Sequence, residues 1–344
     1  MSVTMLVIPS NRMDRLAEFF RAWKGRGGWD RAIVIEDAPQ KTLLSAGAGE
    51  SPLHYSHAEI GRILGDDAWI ISRKDSACRC FGFLAAYHLG ADRVITLDDD
   101  CWPLLETRDF AAEHDWAMTE HKKWVTSVPG LNPRGMPYKN RGKLENVVAN
   151  VGLWTGNPDI DAPHSLVDMA ARQQLDYDGK FMANWAPPNE GNWIVPHGQF
   201  VPLCGMNLCL ERQALPLAYF PLMGEESPYA RMDDIWFGVI FKHCCDALGW
   251  HISVGDPFVE HRRASDPFIN LVKEAPGIAA NEEFWEMVTC AELPVSRPAI
   301  DTIQQMGWHF ENIIKEADGE YYISRLGKAL QVWARLFSER PAGL

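Results

Sequence analysis

The sequence is short of positive charge. Against 46 Asp and Glu it sets 33 Lys and Arg, a net charge of −13, and no Lys/Arg-rich tract offsets this locally. Proteins that bind polymeric nucleic acid gain much of their affinity by releasing counterions from phosphates, so nucleic acid is excluded as a partner. No run approaches the ~18 consecutive apolar residues of a membrane span. The N-terminus, Met1-Ser-Val-Thr-Met-Leu-Val-Ile-Pro9, lacks the basic segment and long apolar stretch of a secretory signal. A soluble, cytoplasmic protein is expected. The eight cysteines form no paired Cys-x-x-Cys spacing, which removes the common zinc sites and leaves reduced core thiols. Gly-x-x-x-x-Gly-Lys-Ser/Thr is missing, Gly25-Arg-Gly-Gly28 follows a helical pattern where a dinucleotide loop follows a strand, and no Gly-x-Ser-x-Gly elbow occurs. ATPase, flavin, nicotinamide and serine-hydrolase chemistries fall away with them.

What is present is globular: 344 residues, 47% apolar, with 14 tryptophans. Val3 to Ile8 reads as a strand, and Leu16, Phe19, Phe20 and Trp23 then recur at helical spacing. Ala32 to Ile35 and Trp69 to Ile71 read as further strands. Phe81, Leu84, Ala85 and His88 mark a helix face that closes at Gly90, and Arg93 to Leu97 follows as a buried strand. Strands alternating with helices predict an α/β fold with a mostly parallel central sheet and ligands at the carboxyl ends of its strands. Asp37, Lys74-Asp75 and Asp98 to Asp100 fall at such ends. From Trp102 to His197 the pattern loosens into long loops. Phe200 to Leu210 reads as an apolar strand or hairpin, Ile235 to Leu248 as a helix, and His251 to Val254 with Phe258-Val259 as strands. The stripes Ile303, Met306, Phe310, Ile313 and Leu326, Leu330, Trp333, Phe337 predict closing helices. Residues 1–280 are therefore expected to form the ligand-binding domain and 281–344 a helical extension for packing or self-association.

The triplet Asp98, Asp99, Asp100 concentrates the chemistry. Three adjacent carboxylates repel, and a divalent cation among them relieves that while leaving positions for substrate phosphate oxygens. Alternation along a strand sends Asp98 and Asp100 to one side, the candidate metal ligands, and Asp99 to the other. His261 is the best-placed further ligand by type. Counter-charge for a diphosphate would come from Arg12, Lys74, Arg79, Arg262, Arg263 and Lys273. Asp233 and Asp234, before an apolar helix, either favour the helix dipole or bind a ligand.

Lys74-Asp-Ser-Ala-Cys-Arg-Cys-Phe-Gly82, followed by Ile95-Thr-Leu-Asp-Asp-Asp-Cys101, closely resembles the reversibly glycosylated polypeptides, also called UDP-arabinopyranose mutases, of glycosyltransferase family 75. Gly152-Leu-Trp154, Leu203-Cys-Gly-Met-Asn-Leu208, Arg231-Met-Asp-Asp-Ile-Trp236 and Ala264-Ser-Asp-Pro-Phe-Ile-Asn-Leu271 continue the likeness in order. The resemblance implies a GT-A-like nucleotide-diphosphosugar fold, a Mn²⁺ or Mg²⁺ site, and interconversion of UDP-arabinopyranose with UDP-arabinofuranose. It also implies reversible self-glycosylation on Arg141, where Pro137-Tyr-Lys-Asn-Arg141 fits the family's arginine segment. Under this reading Asp98, Asp100 and His261 hold the metal, and Arg12, Asp37, Lys74, Asp75, Arg79, Asp99 and Arg263 hold the nucleotide. Asp233 and Asp234 bind sugar hydroxyls or move protons between O4 and O5, and Trp154, Trp193 and Trp236 wall off water. Two alternatives stay open: a metal-dependent glycosyltransferase with a UDP-sugar donor, and a UDP-sugar-binding assembly subunit without turnover.

Overall fold

The structure, a computed structural model, describes residues 2–42, 52–119, 121, 124, 131–157, 160–171, 192–262, 266–295, 297–313 and 321–344. The chain begins with β1 (Thr4–Ser10), α1 (Met13–Trp23), β2 (Arg31–Glu36), β3 (Leu53–Tyr55), α2 (His57–Leu64), α3 (Cys80–His88) and β4 (Arg93–Leu97). Its middle part adds β5 (Cys101–Pro103), α4 (Phe110–Thr119), β6 (Val147–Gly156), α5 (Ala162–Ala171), β7 (Trp193–Ile194) and β8 (Asn207–Glu211). The remainder is α6 (Asp233–Leu248), β9 (His251–His261), α7 (Pro267–Thr289), α8 (Ala299–Ile313) and α9 (Tyr321–Ser338).

The nine strands form one sheet in the order β3-β2-β1-β4-β8-β6-β9-β5, with β7 pairing β9. From β3 to β4 every pairing is parallel, while β8 runs antiparallel between β4 and β6, and β6 and β9 are again parallel. The expected α/β class holds. Counting directions across the sheet, β1, β2, β4, β6 and β9 all point the same way. Their carboxyl ends, at Ser10, Glu36, Leu97, Gly156 and His261, therefore share one edge, and β8 enters the sheet from that edge at Asn207.

Strand alternation sorts the core onto two faces. Leu6, Ile8 and Val34 face α1 and α4, where Leu16, Phe19 and Phe110 pack, while Met5, Val7, Ile33 and Ile35 join a larger cluster. That cluster includes Phe83 of α3, Phe237 of α6 and, from the closing helices, Phe310, Leu330 and Trp333. The helices after residue 281 thus share the main core, and the boundary expected near residue 280 falls inside α7. That helix starts where its sequence dictates: Asp266 accepts the Phe268 N–H at 2.9 Å and Pro267 takes the first turn, whose N–H groups need no helical acceptor.

Two expected elements differ. Trp69 and Ile70 end a 3₁₀ helix, Gly65–Ile70, and Ile70 and Ile71 are buried in the core without entering the sheet. Of Phe200 to Leu210 only the last residues, from Asn207, are strand. Six cysteines are buried, Cys204 is half-buried and Cys290 exposed. Among the described residues no helix is long and apolar enough to cross a membrane.

β6, in the middle of the sheet, carries a buried polar network behind the edge. His114 is fully buried, with Nε2 on Asn207 Oδ1 at 3.1 Å and Nδ1 accepting from Asn150 Nδ2 at 2.9 Å. Asn150 also accepts from Ser253 Oγ at 2.7 Å, and Asn207 Nδ2 donates to the carbonyls of Leu153 (2.9 Å) and Pro257 (2.8 Å). Gly152 leaves room for the Asn207 amide, since a Cβ there would lie 2.2 Å from Asn207 Nδ2. Burial pushes the His114 imidazole down to about 3, so folding keeps it neutral. The unfolded chain binds that proton near its ordinary value of ~6.5, so stability is complete above that pH and is lost as pH falls from there toward about 3. Urea melts between pH 7 and 4 should therefore show a steeper acid loss in the wild type than in His114→Gln, by up to ~1.4 kcal/mol per pH unit.

Candidate active site at the sheet edge

A cleft of about 1170 Å³ opens along the shared carboxyl edge. Ser10 and Arg12 after β1, Asp37 after β2, Asp98 and Asp99 after β4, and Trp154 of β6 all line it. The opposite side is built by the turn at Lys74 to Arg79, by Arg231 to Asp234 at the start of α6, and by Lys273 and Glu274 of α7.

Two arginines compensate the acidic triplet. Arg12 Nε donates to Asp99 Oδ2 at 3.1 Å, its Nη2 pairs with Asp99 Oδ1, and the same Nη2 reaches Asp100 Oδ2 at 3.0 Å. Ser10 Oγ also donates to Asp99, and accepts the Arg12 N–H at 2.9 Å. Asp99 is buried and spends its oxygens on orienting Arg12. One donor of Arg12, Nη1, is buried without a hydrogen-bond partner, a costly state that an anionic ligand oxygen in the cleft would relieve.

Arg79 is the second compensating cation, with 2% of its side chain exposed. Its Nη2 donates to Asp98 Oδ1 at 2.6 Å, Nη1 to the Gly205 carbonyl and to Thr96 Oγ1 (3.0 Å), and Nε to the Ser76 carbonyl at 3.1 Å. The guanidinium also lies 5.4 Å from the Phe220 ring centre. Burial opposes its charge, but Asp98 and Asp233 outweigh that and hold it protonated beyond the ordinary arginine range. Gly205 is required here, because a Cβ would sit 2.4 Å from Arg79 Nη1.

Asp100 faces a different partner. His261, at the end of β9 and opposite Cys101 of β5, places Nδ1 2.8 Å from the Asn157 carbonyl and Nε2 3.7 Å from Asp100 Oδ1. Donation from Nδ1 leaves a lone pair on Nε2, so two electron-rich atoms face each other too far apart for a hydrogen bond. Burial and the neighbouring Asp98 charge raise the Asp100 carboxyl above its ordinary value. An imidazole fixed through its other nitrogen beside a carboxylate is the donor set of a divalent cation. Among the described residues no three His, Cys, Asp or Glu side chains form a complete metal cage, so a cation here would take its other ligands from substrate and water.

On the far side Asp233 is buried and accepts from Ser76 Oγ at 2.9 Å. It does not cap α6, whose N-cap residue is Met232; desolvation raises its carboxyl, while Arg79 and the Ser76 hydroxyl oppose that. Asp234 lines the cleft with Oδ1 on the Ile235 N–H at 2.8 Å. Asp75 caps the 3₁₀ turn through the Ala77 N–H at 3.0 Å, and desolvation together with the Asp233 charge raises it to about 8. Asp37 accepts from the Lys74 backbone N–H at 2.9 Å and pairs with His57 Nε2 at 2.8 Å. The Lys74 ammonium is exposed and 2.8 Å from Glu225. Lys74, Glu226 and Arg231, at φ 58°, 63° and 63°, are the non-glycine residues in the left-handed region among those described, and Lys74 and Arg231 line this cleft. Such strain gathers where the surrounding structure fixes a functional conformation.

Of the sequence-predicted set, Asp98, Asp99, Arg12, Arg79, Asp37, Lys74, Asp75, Asp233, Asp234 and Lys273 line the cleft, and Asp100 and His261 lie next to Arg12 outside its lining. Arg262 turns outward, over the Trp102 ring and against Glu260, and Arg263 lies outside the described residues. Arg141 is exposed, its guanidinium 3.8 Å from the Tyr138 ring centre, and is not among the cleft-lining residues. Trp154 lines the cleft, whereas Trp193 is exposed on β7 and Trp236 is core, stacked on Phe284 at 4.2 Å. Sequence reasoning missed Ser10 and Glu274. Glu274 is buried in α7 and binds both Arg231 Nε and the Ala162 N–H at 2.8 Å, and nothing in its local sequence sets it apart from surface glutamates.

Removing Arg79 should be costlier than removing any surface arginine. Arg79→Met leaves two carboxylates without their cation, and urea melts should show a loss of ~3–5 kcal/mol. Arg79→Lys should recover only part of this, since one ammonium cannot reach the same four acceptors.

The whole chain can be set beside known proteins. The family model described as "Reversibly glycosylated polypeptide" matches residues 3–126 and 132–341. The probable UDP-arabinopyranose mutase 1 of Solanum tuberosum is 32% identical over 97% of this chain and 90% of its own length. UDP-arabinopyranose mutase 1 of Arabidopsis thaliana is 31% identical over 97% of this chain and 92% of its own. Among solved structures, glucosyl-3-phosphoglycerate synthase from Mycobacterium tuberculosis aligns with 83% of this chain and 80% of its own at TM-score 0.47 and 13% identity. On the extent of the family match and the identity to these relatives, the chain belongs to the reversibly glycosylated polypeptide family.

Proposed function

We propose that this protein is a UDP-arabinopyranose mutase that interconverts the pyranose and furanose forms of UDP-arabinose. The observation that carries the reading is the buried, unsatisfied Nη1 of the cleft-lining Arg12, with Asp100 and His261 facing each other next to that arginine. A diphosphate would answer the arginine and a divalent cation travelling with it would answer the Asp100–His261 pair, and the names of the plant relatives supply the sugar.

In this reading Arg12 and Lys74 receive the diphosphate, and Asp37 orders the Lys74 turn on the nucleoside side. Asp100 and His261 would hold Mn²⁺ or Mg²⁺, with Asp98 beside them; when bound, the cation offsets charge on the departing diphosphate. Fixed positive groups lower the barrier most where that charge develops. UDP leaves C1, the sugar's own O4 closes on C1, the C1–O5 bond opens and UDP returns. Water competes for the intermediate, and Val151, Leu153 and Trp154 give the cleft an apolar wall against it. The mostly buried cysteines suit a reducing compartment, and we place the activity in the cytoplasm. Glycosylation of Arg141 is a separate event in this reading, because the exposed Tyr138–Arg141 segment must approach the cleft; its trace would be a sugar adduct mapped to that peptide after incubation with a UDP-sugar.

The cleft, at about 1170 Å³, exceeds the ~300–1,000 Å³ of most single-ligand sites, which favours transfer to an acceptor as the second reading. Incubation with UDP-arabinopyranose and Mn²⁺, followed by separation of nucleotide sugars, decides between them. A UDP-furanose product at constant total nucleotide sugar is expected, whereas free UDP formed only with an added acceptor would mean transfer. His261→Ala should weaken Mn²⁺-dependent UDP binding at least ~10-fold in calorimetry and leave metal-free UDP binding unchanged.

A further inference from the structure

Arginine is an unfavourable residue for the backbone at position 231. Its φ of 63° lies in the left-handed region, where glycine sits freely and any Cβ crowds the following carbonyl. A glycine would make the same turn without strain, so the side chain must have a role that outweighs it. Part of that role is visible in its contacts. Arg231 Nε donates to Glu274 Oε1 at 2.8 Å, and the other Glu274 oxygen takes the Ala162 N–H at the start of α5, also at 2.8 Å. The glutamate side chain is 4% exposed and the arginine 36%, and both line the cleft. A buried carboxylate paired with arginine is a poor way to join helices, since apolar side chains of similar volume are often at least as stable. It does fix the plane of the guanidinium on the cleft wall.

One face of α7 reinforces this hold. Glu274, Gly277 and Asn281, at helical spacing, meet Arg231, Met232 and Trp236 in turn. A Cβ at Gly277 would lie 2.2 Å from Met232 Cγ, so the helix can approach this closely only with glycine there. Asn281 Oδ1 accepts from Trp236 Nε1 at 2.9 Å. The start of α5, the start of α6 and the middle of α7 therefore converge on one arginine.

Its neighbours indicate which part of the ligand it meets. The Arg231 backbone N–H bonds the Asp75 carboxyl, and Asp233, two residues on, accepts from Ser76 Oγ at 2.9 Å. Ionised carboxylates repel a diphosphate and accept from hydroxyl groups, but they cannot donate to the oxygens of a sugar. A guanidinium set among them supplies those donors. The need is acute in this reaction, because once UDP has left C1 the pentose has no phosphate link and only contacts to its own oxygens retain it. We propose that Arg231 is a sugar-binding residue that donates hydrogen bonds to the pentose oxygens, and that Glu274 is the residue that positions it. This inference rests on the mutase reading above.

The test separates sugar from nucleotide on the full chain, with calorimetric affinities for UDP and for UDP-arabinopyranose measured beside the mutase assay. Arg231→Gln should weaken UDP-arabinopyranose binding at least ~10-fold, the effect of a lost hydrogen bond from a charged donor, with UDP affinity within about threefold of wild type. Glu274→Gln, which leaves the arginine in place but unfixed, should give a smaller loss of the same kind, in UDP-arabinopyranose and not in UDP. Wild-type affinity for UDP-arabinopyranose in Arg231→Gln, or a loss shared equally by UDP, would overturn the assignment of Arg231 while leaving the mutase reading intact. Wild-type affinity for both ligands in Glu274→Gln would overturn the positioning role. A wild-type protein that forms no furanose product would overturn the mutase reading and this inference with it. Should Arg231→Gln fail to fold, the double variant Arg231→Gly with Glu274→Gln, which relieves both the backbone strain and the buried charge, carries the same comparison.

Discussion

One buried guanidinium organises the cleft. Arg79 spends its donors on an acid after β4, a side chain within β4, a carbonyl from the loop entering β8 and a carbonyl of its own turn. A charge removed from water so completely is tolerable only when every donor has an acceptor. Arg79 therefore dictates how the Ser76–Arg79 turn, the start of β8 and the end of β4 meet. The Gly205 backbone had to come close, and Asp98 had to turn inward. The acids of the triplet consequently divide: Asp98 answers Arg79, Asp99 answers Arg12 and Asp100 faces His261. Three neighbouring carboxylates that would repel in a solvated loop are thus spread over Arg79, Arg12 and His261, with Arg12 shared between Asp99 and Asp100.

Much of this was legible in the sequence, and the reason is burial. Strands covered on both faces read as continuous apolar runs, so β1, β2 and β4 stand out, and the charges that follow them had to lie at one edge. β6 was invisible for the opposite reason. Its Asn150 and Gly152 look like loop residues, yet they are there to satisfy and accommodate a polar network with His114 and Asn207, formed by residues far apart in the chain. Trp69 to Ile71 reads as a strand only if its neighbours are ignored. The types at Asp98 to Asp100 and His261 gave away a site. The role of Asp99 as the brace of Arg12, and the service of Glu274 to both Arg231 and α5, depend on contacts that no spacing rule encodes.

The arrangement separates two kinds of chemistry along one cleft. At the end of β4 and β9, cations and a carboxylate–imidazole pair suit an anionic leaving group. At the start of α6, desolvated carboxyls with raised affinity for protons suit hydroxyl groups. Arg79 stands between and is acted on by the acids of both ends, Asp98 and Asp233.

The last helix finishes this machinery. Tyr322 Oη of α9 donates to the Leu222 carbonyl at 2.9 Å, and Arg325 reaches the Glu226 carbonyl at 3.1 Å and its carboxylate at 3.0 Å. Those two contacts hold the loop that carries the chain into Arg231 and Asp233, and Glu225 of the same loop binds the Arg73 carbonyl and Lys74. A substitution on this face of α9 therefore acts on the cleft at a distance, through the loop it braces, although no described residue of α9 lines the cleft itself.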